Sequence, residues 1–125
     1  MQILLVEDHK DTREMLERFL LRSGFEVCTA GTLQEGLQFL QTKSFDAIVS
    51  DIALPDGTGY ALISEARRRG ITALAIAISA YVYPHDVEEA KLTGFDHHLP
   101  KPFDCARLCS LLEERAAATA LQSKH

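Results

Sequence analysis

Residues 46–60 read DAIVSDIALPDGTGY, an apolar run that ends in an acid and passes into a turn rich in proline and glycine. The run from Asp46 to Ser50 looks buried on both faces, which is typical of a parallel strand covered by helices. Asp51 follows this strand directly, a loop is predicted from Leu54 to Thr58, and a helix from Gly59 to about Arg69. A strand that leads through a short turn into a helix is the basic unit of an α/β fold.

The same alternation of strand and helix runs through the whole chain. Apolar runs predict five strands, and helical periodicity with capping residues predicts five helices. The strands are expected at Ile3–Val6, Phe25–Ala30, Asp46–Ser50, Ala73–Ser79 and Asp96–Leu99. Besides the helix after Gly59, helices are expected at Asp11–Arg22, from the Thr32 cap to about Thr42, from Pro84 to Gly94, and after the Asp104 cap.

This pattern predicts an α/β fold with a doubly wound, five-stranded parallel sheet and helices on both faces. Alternation by itself leaves two strand orders open, and both place ligands beyond the carboxyl ends of the strands. Thr32 and Glu35 are predicted to form a capping box. The apolar residues expected to face the sheet are Met15, Leu16, Phe19 and Leu20 in the first helix, Leu33, Leu37 and Leu40 in the second, and Leu108, Leu111 and Leu112 in the last.

The length and composition indicate one globular domain. The chain has 125 residues, of which 46% are apolar and 25% are charged, and this suits a single core. We expect the domain to span residues 1–116, with residues 117–125 as a helix extension or a disordered tail. The longest apolar run, Ala73 to Val82, is too short to span a bilayer, and Met1-Gln2-Ile3 lacks the basic region of a signal peptide. We therefore expect a cytoplasmic protein without membrane contact.

The charge and the cysteines exclude other classes of protein. A formal net charge of -5 argues against direct binding to nucleic acid, which needs a basic surface. The dense basic cluster at 67–69 is expected to be the solvated end of a helix, with a docking patch as the alternative. Cys28, Cys105 and Cys109 give no disulfide framework, and they suit a reducing compartment. Two of them lie four residues apart, but without a second pair they are not expected to bind a metal.

Polar residues follow four of the five predicted strands. Glu7 and Asp8 come after the first strand, Asp51 after the third, Ser79 at the end of the fourth, and Lys101 after the fifth. Each of them alone is typical of an ordinary turn or surface residue. Because the carboxyl ends of parallel strands meet at one edge of a sheet, their joint placement indicates a functional site.

Three carboxylates at one edge cannot all remain bare anions. Two unit charges about 4 Å apart repel by roughly 4 kcal/mol at an effective dielectric near 20, so such a cluster takes up a proton or binds a cation. Carboxylates, a backbone carbonyl and water suit Mg²⁺. A cation, the Lys101 ammonium and the Ser79 hydroxyl would also hold a phosphoryl group. Asp51 lies on the central strand and is the candidate nucleophile that would form an acyl phosphate.

The strings LLVEDH, DAIVSDIALPDGTGY, IAISA and GFDHHLPKPFD, in this order and spacing, resemble the receiver domains of two-component response regulators. The resemblance covers the chain from Ile3 to about Arg115. It implies a flavodoxin-like strand order of 2-1-3-4-5. It also implies phosphorelay signal transduction, in which a histidine kinase or histidine phosphotransfer protein donates the phosphoryl group. Such a domain is a phosphoacceptor rather than a conventional enzyme, although it promotes its own phosphotransfer and dephosphorylation.

The resemblance further implies a role for each matching residue. The implied set is Asp51 as the phosphoacceptor; Asp8, Glu7, Asp51 and the backbone carbonyl of Ala53 around Mg²⁺; Ser79 and Lys101 at the phosphoryl group; and a cis bond before Pro102. Tyr81, two residues after Ser79, is expected near the phosphorylation site. In the family, its position and that of Ala53 influence how fast the acyl phosphate hydrolyses.

Two positions depart from the family pattern. The switch position, three residues before the lysine, often holds Tyr or Phe, whose ring moves inward as the Ser/Thr shifts toward the phosphoryl group, but here it is His98. We weigh a switch role for His98 against simple exposure, and its imidazole could also titrate near neutral pH. Pro100 lacks an N–H and is tolerated if the fifth strand is a sheet edge.

The signal is expected to leave through the face formed by the fourth helix, the fifth strand and the fifth helix, which would be available to an output domain or a second copy of the chain. GFDHHLPKP slightly favours an origin in a hybrid sensor histidine kinase.

Three other classes of protein are less consistent with the residues. A metal-dependent phosphatase with an aspartyl-phosphate would carry a second acid two residues after Asp51, where this chain has Ala53. A degenerate receiver that acts as a constitutive interaction module would lack Asp51, Lys101 or the acidic pair. A flavin-binding domain would need a hydroxyl-rich phosphate loop after the first strand, where Glu7 and Asp8 stand instead.

Overall fold

Strands and helices alternate along the chain in the computed structural model, which describes residues 1–79, 91–102 and 104–123. The strands are β1 (Gln2–Val6), β2 (Glu26–Ala30), β3 (Ala47–Asp51), β4 (Ala53–Leu54), β5 (Gly57–Thr58), β6 (Leu74–Ser79) and β7 (His97–Pro100). The helices are α1 (Lys10–Arg22), α2 (Leu33–Thr42), α3 (Gly59–Arg68) and a C-terminal helix (Cys105–Ser123). Pro84, the predicted start of a further helix, and Tyr81 lie outside the described residues.

The five main strands form one parallel sheet in the order β2-β1-β3-β6-β7. This is the order 2-1-3-4-5 among the five strands predicted from sequence, so the flavodoxin-like, doubly wound arrangement is confirmed. β7 lies at an edge of the sheet, where the missing N–H of Pro100 is tolerated. β3 lies at the centre, between β1 and β6, and the order therefore places the end of β3 between the ends of its two neighbours.

Helices cover both faces of the sheet. On one face, Leu4 and Ile48 pack with residues of α2 and α3 such as Leu40 and Leu62. On the other face, Ile3, Leu5 and Val49 pack with residues of α1 and the C-terminal helix, including Leu16, Leu20, Leu108, Leu111 and Leu112. Each such side chain, once buried, contributes roughly 1.5–3 kcal/mol relative to exposure. Residues 3–6 of β1 and 47–49 of β3 are apolar and fully buried, because both faces of these strands are covered. Among the described residues, no helix has the length and apolar character needed to cross a lipid bilayer.

The helix ends follow the predicted capping chemistry. Thr32 Oγ1 accepts from the Glu35 N–H at 3.1 Å, as the capping box requires. The Glu35 carboxylate reaches the N–H of Gly31 at 3.2 Å, one residue before the expected partner. Asp104 Oδ1 accepts from the Ala106 N–H at 2.9 Å at the start of the C-terminal helix. Gly94, the predicted end of a helix, has a φ of 110°, which favours glycine.

Two local predictions are wrong. Met15 is 48% exposed, because the inward stripe of α1 is narrower than the apolar pattern suggested. The segment Leu54–Thr58 is not simply a loop, since β4 and β5 form a short antiparallel hairpin in which Ala53 pairs with Thr58 and Leu54 with Gly57. The hairpin begins immediately after Ile52, whose N–H donates to Ile78 O at 3.2 Å.

The basic cluster at 67–69 is only partly the solvated helix end that was predicted. Arg67 Nη1 donates to the carbonyls of Ile71 and Ala73, both at 2.8 Å, and its Nε and Nη2 donate to the carbonyl of Gly94 at 3.1 and 2.9 Å. Its Nη2 also lies 3.2 Å from the Asp96 carboxylate. One guanidinium therefore ties the end of α3 to the segments that lead into β6 and β7.

Arg67→Gln is expected to lower the free energy of unfolding by about 2 kcal/mol or more, because a shorter neutral side chain cannot satisfy these carbonyls. Arg68→Gln is the matched control, since the Arg68 side chain is 75% exposed and pairs with Glu65 at the surface. Urea denaturation of the two variants checks this, and equal midpoints would contradict it.

Candidate functional site

The polar residues predicted from sequence lie at one edge of the sheet, beyond the carboxyl ends of neighbouring strands. Glu7 and Asp8 follow β1, Asp51 ends β3, Ser79 ends β6, and Lys101 follows β7. The strand order places β1, β3, β6 and β7 side by side. Residues that are far apart in the chain therefore meet at this edge.

Lys101 joins the two buried acids of this edge. Its Nζ lies 2.9 Å from Glu7 Oε1 and 2.9 Å from Asp51 Oδ2. Glu7 has no exposed surface, and Asp51 is 8% exposed. The backbone of the lysine is held as well, because its N–H donates to Ser79 O at 2.6 Å. The Lys101–Pro102 peptide bond is cis.

The two acids and one ammonium leave an excess of negative charge in a poorly solvated place. Burial first, and then the neighbouring Asp51 carboxylate, raise the pKa of Glu7 to about 7, although Lys101 acts in the opposite direction. Burial lowers the pKa of Lys101, but its bonds with Asp51 and Glu7 outweigh that effect, so the pKa is raised overall. Among the described residues, none donates a hydrogen bond to Glu7 Oε2, which is buried. The cluster is therefore short of positive charge.

Asp8 completes a set of oxygen donors that could hold a cation. Carboxylate oxygens of Glu7, Asp8 and Asp51 all lie within 4.8 Å of one another. Asp8 is exposed while the other two are buried, so the set opens toward solvent. Hard oxygen ligands without nitrogen or sulfur suit Mg²⁺, which keeps several waters in its shell. The buried Glu7 Oε2 is consistent with a site that a cation would complete.

Ala53 and Ser79 flank Asp51. The Ala53 N–H donates to Asp51 Oδ1 at 3.3 Å, so each oxygen of that carboxylate has a donor, Lys101 on one side and a backbone amide on the other. Ala53 itself is exposed on β4. Ser79 is half-buried at the last position of β6.

His98 lies on β7, where it pairs in register with Ala77. It is half-buried, and both its ring nitrogens are buried, so it is not an ordinary exposed surface residue. Its side chain is on the opposite face of the strand from Leu99, which packs with α1 and the C-terminal helix.

Two residues that support the acids were missed by the sequence reasoning. Arg13 of α1 donates from Nη1 to Glu7 O at 2.9 Å and to Asp8 O at 3.4 Å, which holds the backbone of the acidic pair. Ser50 is fully buried, and its hydroxyl donates to Asp51 O at 2.9 Å. No motif marks either contact. An arginine in the first half of an amphipathic helix and a serine within a strand are ordinary residues until the fold is known.

Comparison with known proteins places this arrangement in a family. Residues 3–113 match the family model described as the response regulator receiver domain. An uncharacterised 14.6 kDa protein of Leptolyngbya boryana is 36% identical over 120 residues, which cover 94% of this chain and 92% of the relative. The KDP operon transcriptional regulatory protein KdpE of Escherichia coli is 36% identical over 122 residues, which cover 94% of this chain and 54% of KdpE. The chain thus spans about half the length of several curated relatives.

Solved structures agree with the fold. A CheY-like response regulator receiver domain protein from Methanospirillum hungatei superposes with a TM-score of 0.89 at 25% identity, over 97% of each chain. The chemotaxis response regulator CheY4 of Vibrio cholerae superposes with a TM-score of 0.84 at 28% identity, over 91% of this chain and 97% of CheY4.

The raised pKa of Glu7 predicts a pH dependence of stability in the absence of metal. Between pH 4.5, the ordinary value, and about 7, the folded chain keeps a proton that the unfolded chain has lost. The free energy of unfolding should therefore fall as pH rises through this range, by roughly 1–3 kcal/mol relative to Glu7→Gln. Denaturation in EDTA at several pH values measures the difference, with the exposed Glu14→Gln as control. A difference between parent and Glu7→Gln that stays constant with pH would refute the prediction.

Proposed function

Because the chain belongs to the response regulator receiver family, whose members are signalling domains of two-component systems, we propose that it accepts a phosphoryl group on Asp51 in a Mg²⁺-dependent reaction. The observation that carries this proposal is the cluster of Glu7, Asp8 and Asp51, whose oxygens lie within 4.8 Å of one another. Lys101 contacts two of these acids, Glu7 and Asp51, each at 2.9 Å. A nucleophilic carboxylate beside an ammonium and two further acids is suited to phosphoryl transfer.

The residues that would hold the cation are Asp8, Glu7, Asp51 and the backbone carbonyl of Ala53. When bound, Mg²⁺ supplies positive charge that offsets the repulsion among the carboxylates and the charge of the incoming phosphoryl oxygens. The raised pKa of Glu7 supports this assignment, because it comes first from burial and then from the neighbouring Asp51 carboxylate, and a nearby cation would offset both effects.

The transfer itself would be a displacement at phosphorus. An oxygen of the Asp51 carboxylate attacks, a new O–P bond forms, and the P–N bond to a donor phosphohistidine breaks with its electron pair staying on the imidazole. Lys101 contacts one oxygen of Asp51. Its ammonium can therefore stabilise the negative charge on an oxygen of the incoming phosphoryl group. The Ser79 hydroxyl, at the end of the neighbouring strand, is the proposed donor to another oxygen.

The proposed partners follow from this chemistry. The phosphodonor is a histidine kinase or a histidine phosphotransfer protein. Since the chain spans about half of relatives such as KdpE, an output domain or a place in a larger sensor kinase is also part of the proposal. Ser79 and His98 are the proposed switch residues. The buried ring nitrogens of His98 support an inward-facing position for that side chain.

Incubation with Mg²⁺ and acetyl phosphate is expected to add one phosphoryl group to the intact protein, as measured by mass spectrometry. Asp51→Asn should abolish the modification because the amide is not a nucleophile for this transfer, and EDTA should prevent it. Asp46→Asn is the matched control, because Asp46 precedes β3 at the end opposite to Asp51. Its carboxylate accepts a hydrogen bond from the Gln2 N–H at 2.7 Å. Modification of Asp51→Asn at the parent's rate would exclude Asp51 as the acceptor.

A further inference from the structure

The β4–β5 hairpin connects the site to a helix that contributes no residue to it. The hairpin starts two residues after Asp51 and carries Ala53, whose N–H bonds to the Asp51 carboxylate. Its base is held by the sheet, because the Ile52 N–H donates to Ile78 O at 3.2 Å and the Gly59 N–H donates to Ile52 O at 2.8 Å. A Cβ on Gly59 would collide with the Asp51 carbonyl oxygen, so the chain returns here in very close contact.

The tip of the hairpin is held by one side chain. Asp56 Oδ1 accepts from the Leu33 N–H at 2.8 Å, and its Oδ2 accepts from the Gln34 N–H at 3.0 Å. These two amides belong to the first turn of α2, where backbone N–H groups have no partner within the helix. Since the Thr32 hydroxyl takes the third amide of this turn, Asp56 supplies the remaining acceptors from a distant part of the chain.

Beyond its base, the hairpin has few other contacts that hold it in place. Leu54 is its one buried residue, and the positions from Pro55 to Thr58 are exposed. At Gly57, a Cβ would lie 2.5 Å from Leu33 Cδ2, so the tip rests closely on the same turn of α2. Both polar contacts of Asp56 therefore act where apolar packing is thin.

We propose that Asp56 is a positioning residue for the cation site, which it serves by anchoring the Ala53-bearing hairpin to the first turn of α2. This rests on the proposed function, because it concerns the same site. The anchor lies outside the cation's ligands and acts by holding Ala53 at its distance from Asp51. By thermodynamic reciprocity, a cation that favours this position of the hairpin also strengthens the two contacts with α2.

The test compares Asp56→Ala, which removes both acceptors, with Asp56→Asn, which keeps one neutral acceptor. Asp46→Ala is the matched control, because the Asp46 carboxylate also accepts a backbone N–H, from Gln2 at 2.7 Å, but precedes β3 at the opposite end of the sheet. Mg²⁺ affinity is measured by calorimetry, and thermal denaturation checks that each variant is folded at the temperature used.

Asp56→Ala is expected to weaken Mg²⁺ binding by roughly tenfold, as is typical when residues that orient metal ligands are lost. The Mg²⁺ affinity of Asp56→Asn should lie between that of Asp56→Ala and that of the parent. The affinity of Asp46→Ala should stay within about twofold of the parent, even if this variant loses as much thermal stability as Asp56→Ala. Phosphorylation of Asp56→Ala by acetyl phosphate should need more Mg²⁺ for half-saturation but reach the parent's rate at saturation.

A second measurement follows the two amides that Asp56 binds. In the parent, Mg²⁺ should shift the amide resonances of Leu33 and Gln34 and slow their hydrogen exchange, whereas in Asp56→Ala these amides should not respond. The role of Asp56 would be overturned if Asp56→Ala bound Mg²⁺ as tightly as the parent, or if bound Mg²⁺ left the Leu33 and Gln34 amides of the parent unchanged. Either result would leave the proposed function intact. A parent that binds no Mg²⁺ and takes no phosphoryl group would overturn the proposed function, and this inference with it.

Discussion

The ammonium of Lys101 between Glu7 and Asp51 is the contact on which the site depends. It brings one positive charge to two carboxylates that are almost entirely removed from water. Without it, two acids would face each other with no counter-ion among the described residues, and a buried unpaired charge is among the more destabilising features a core can have. The contact spans 94 residues on one side and 50 on the other, so it forms only if the first, central and last main strands reach their places in the sheet.

The site combines a buried part with an open part, and the two have different supports. Glu7 and Asp51 are held by the sheet, whose core is filled on both faces with aliphatic side chains. Asp8 and Ala53 lie on exposed segments, where the sheet ladder no longer restrains the chain. Arg13 holds the carbonyls of the acidic pair from α1, and Asp56 holds the hairpin against α2. Residues on the surrounding helices and turns therefore hold the parts of the candidate site that the strands do not restrain.

Much of the fold and of the site could be predicted before the structure. Apolar runs located the five main strands, and Thr32 and Asp104 marked two helix starts through local chemistry that acts within three residues. The sequence also showed that acids, a hydroxyl and a lysine stand at the ends of the predicted strands. Errors arose where a local pattern alone was used to decide whether a side chain is buried or exposed. Met15 matched the apolar stripe of α1 but is largely exposed, and Arg67 looked like part of a solvated basic run but bonds to three carbonyls.

The sequence by itself determined which chemistry the chain carries: an alternating pattern that requires a covered parallel sheet, and acids, a hydroxyl and a lysine at the ends of its strands. These properties depend on residues close together in the chain, where periodicity and capping act. Only the tertiary structure decided that Lys101 bonds to both Glu7 and Asp51, that the pKa of Glu7 is raised, and that Asp56 meets α2. Such contacts depend on the order in which distant strands pair and on how fully they exclude water, and neither is encoded in a short stretch of sequence.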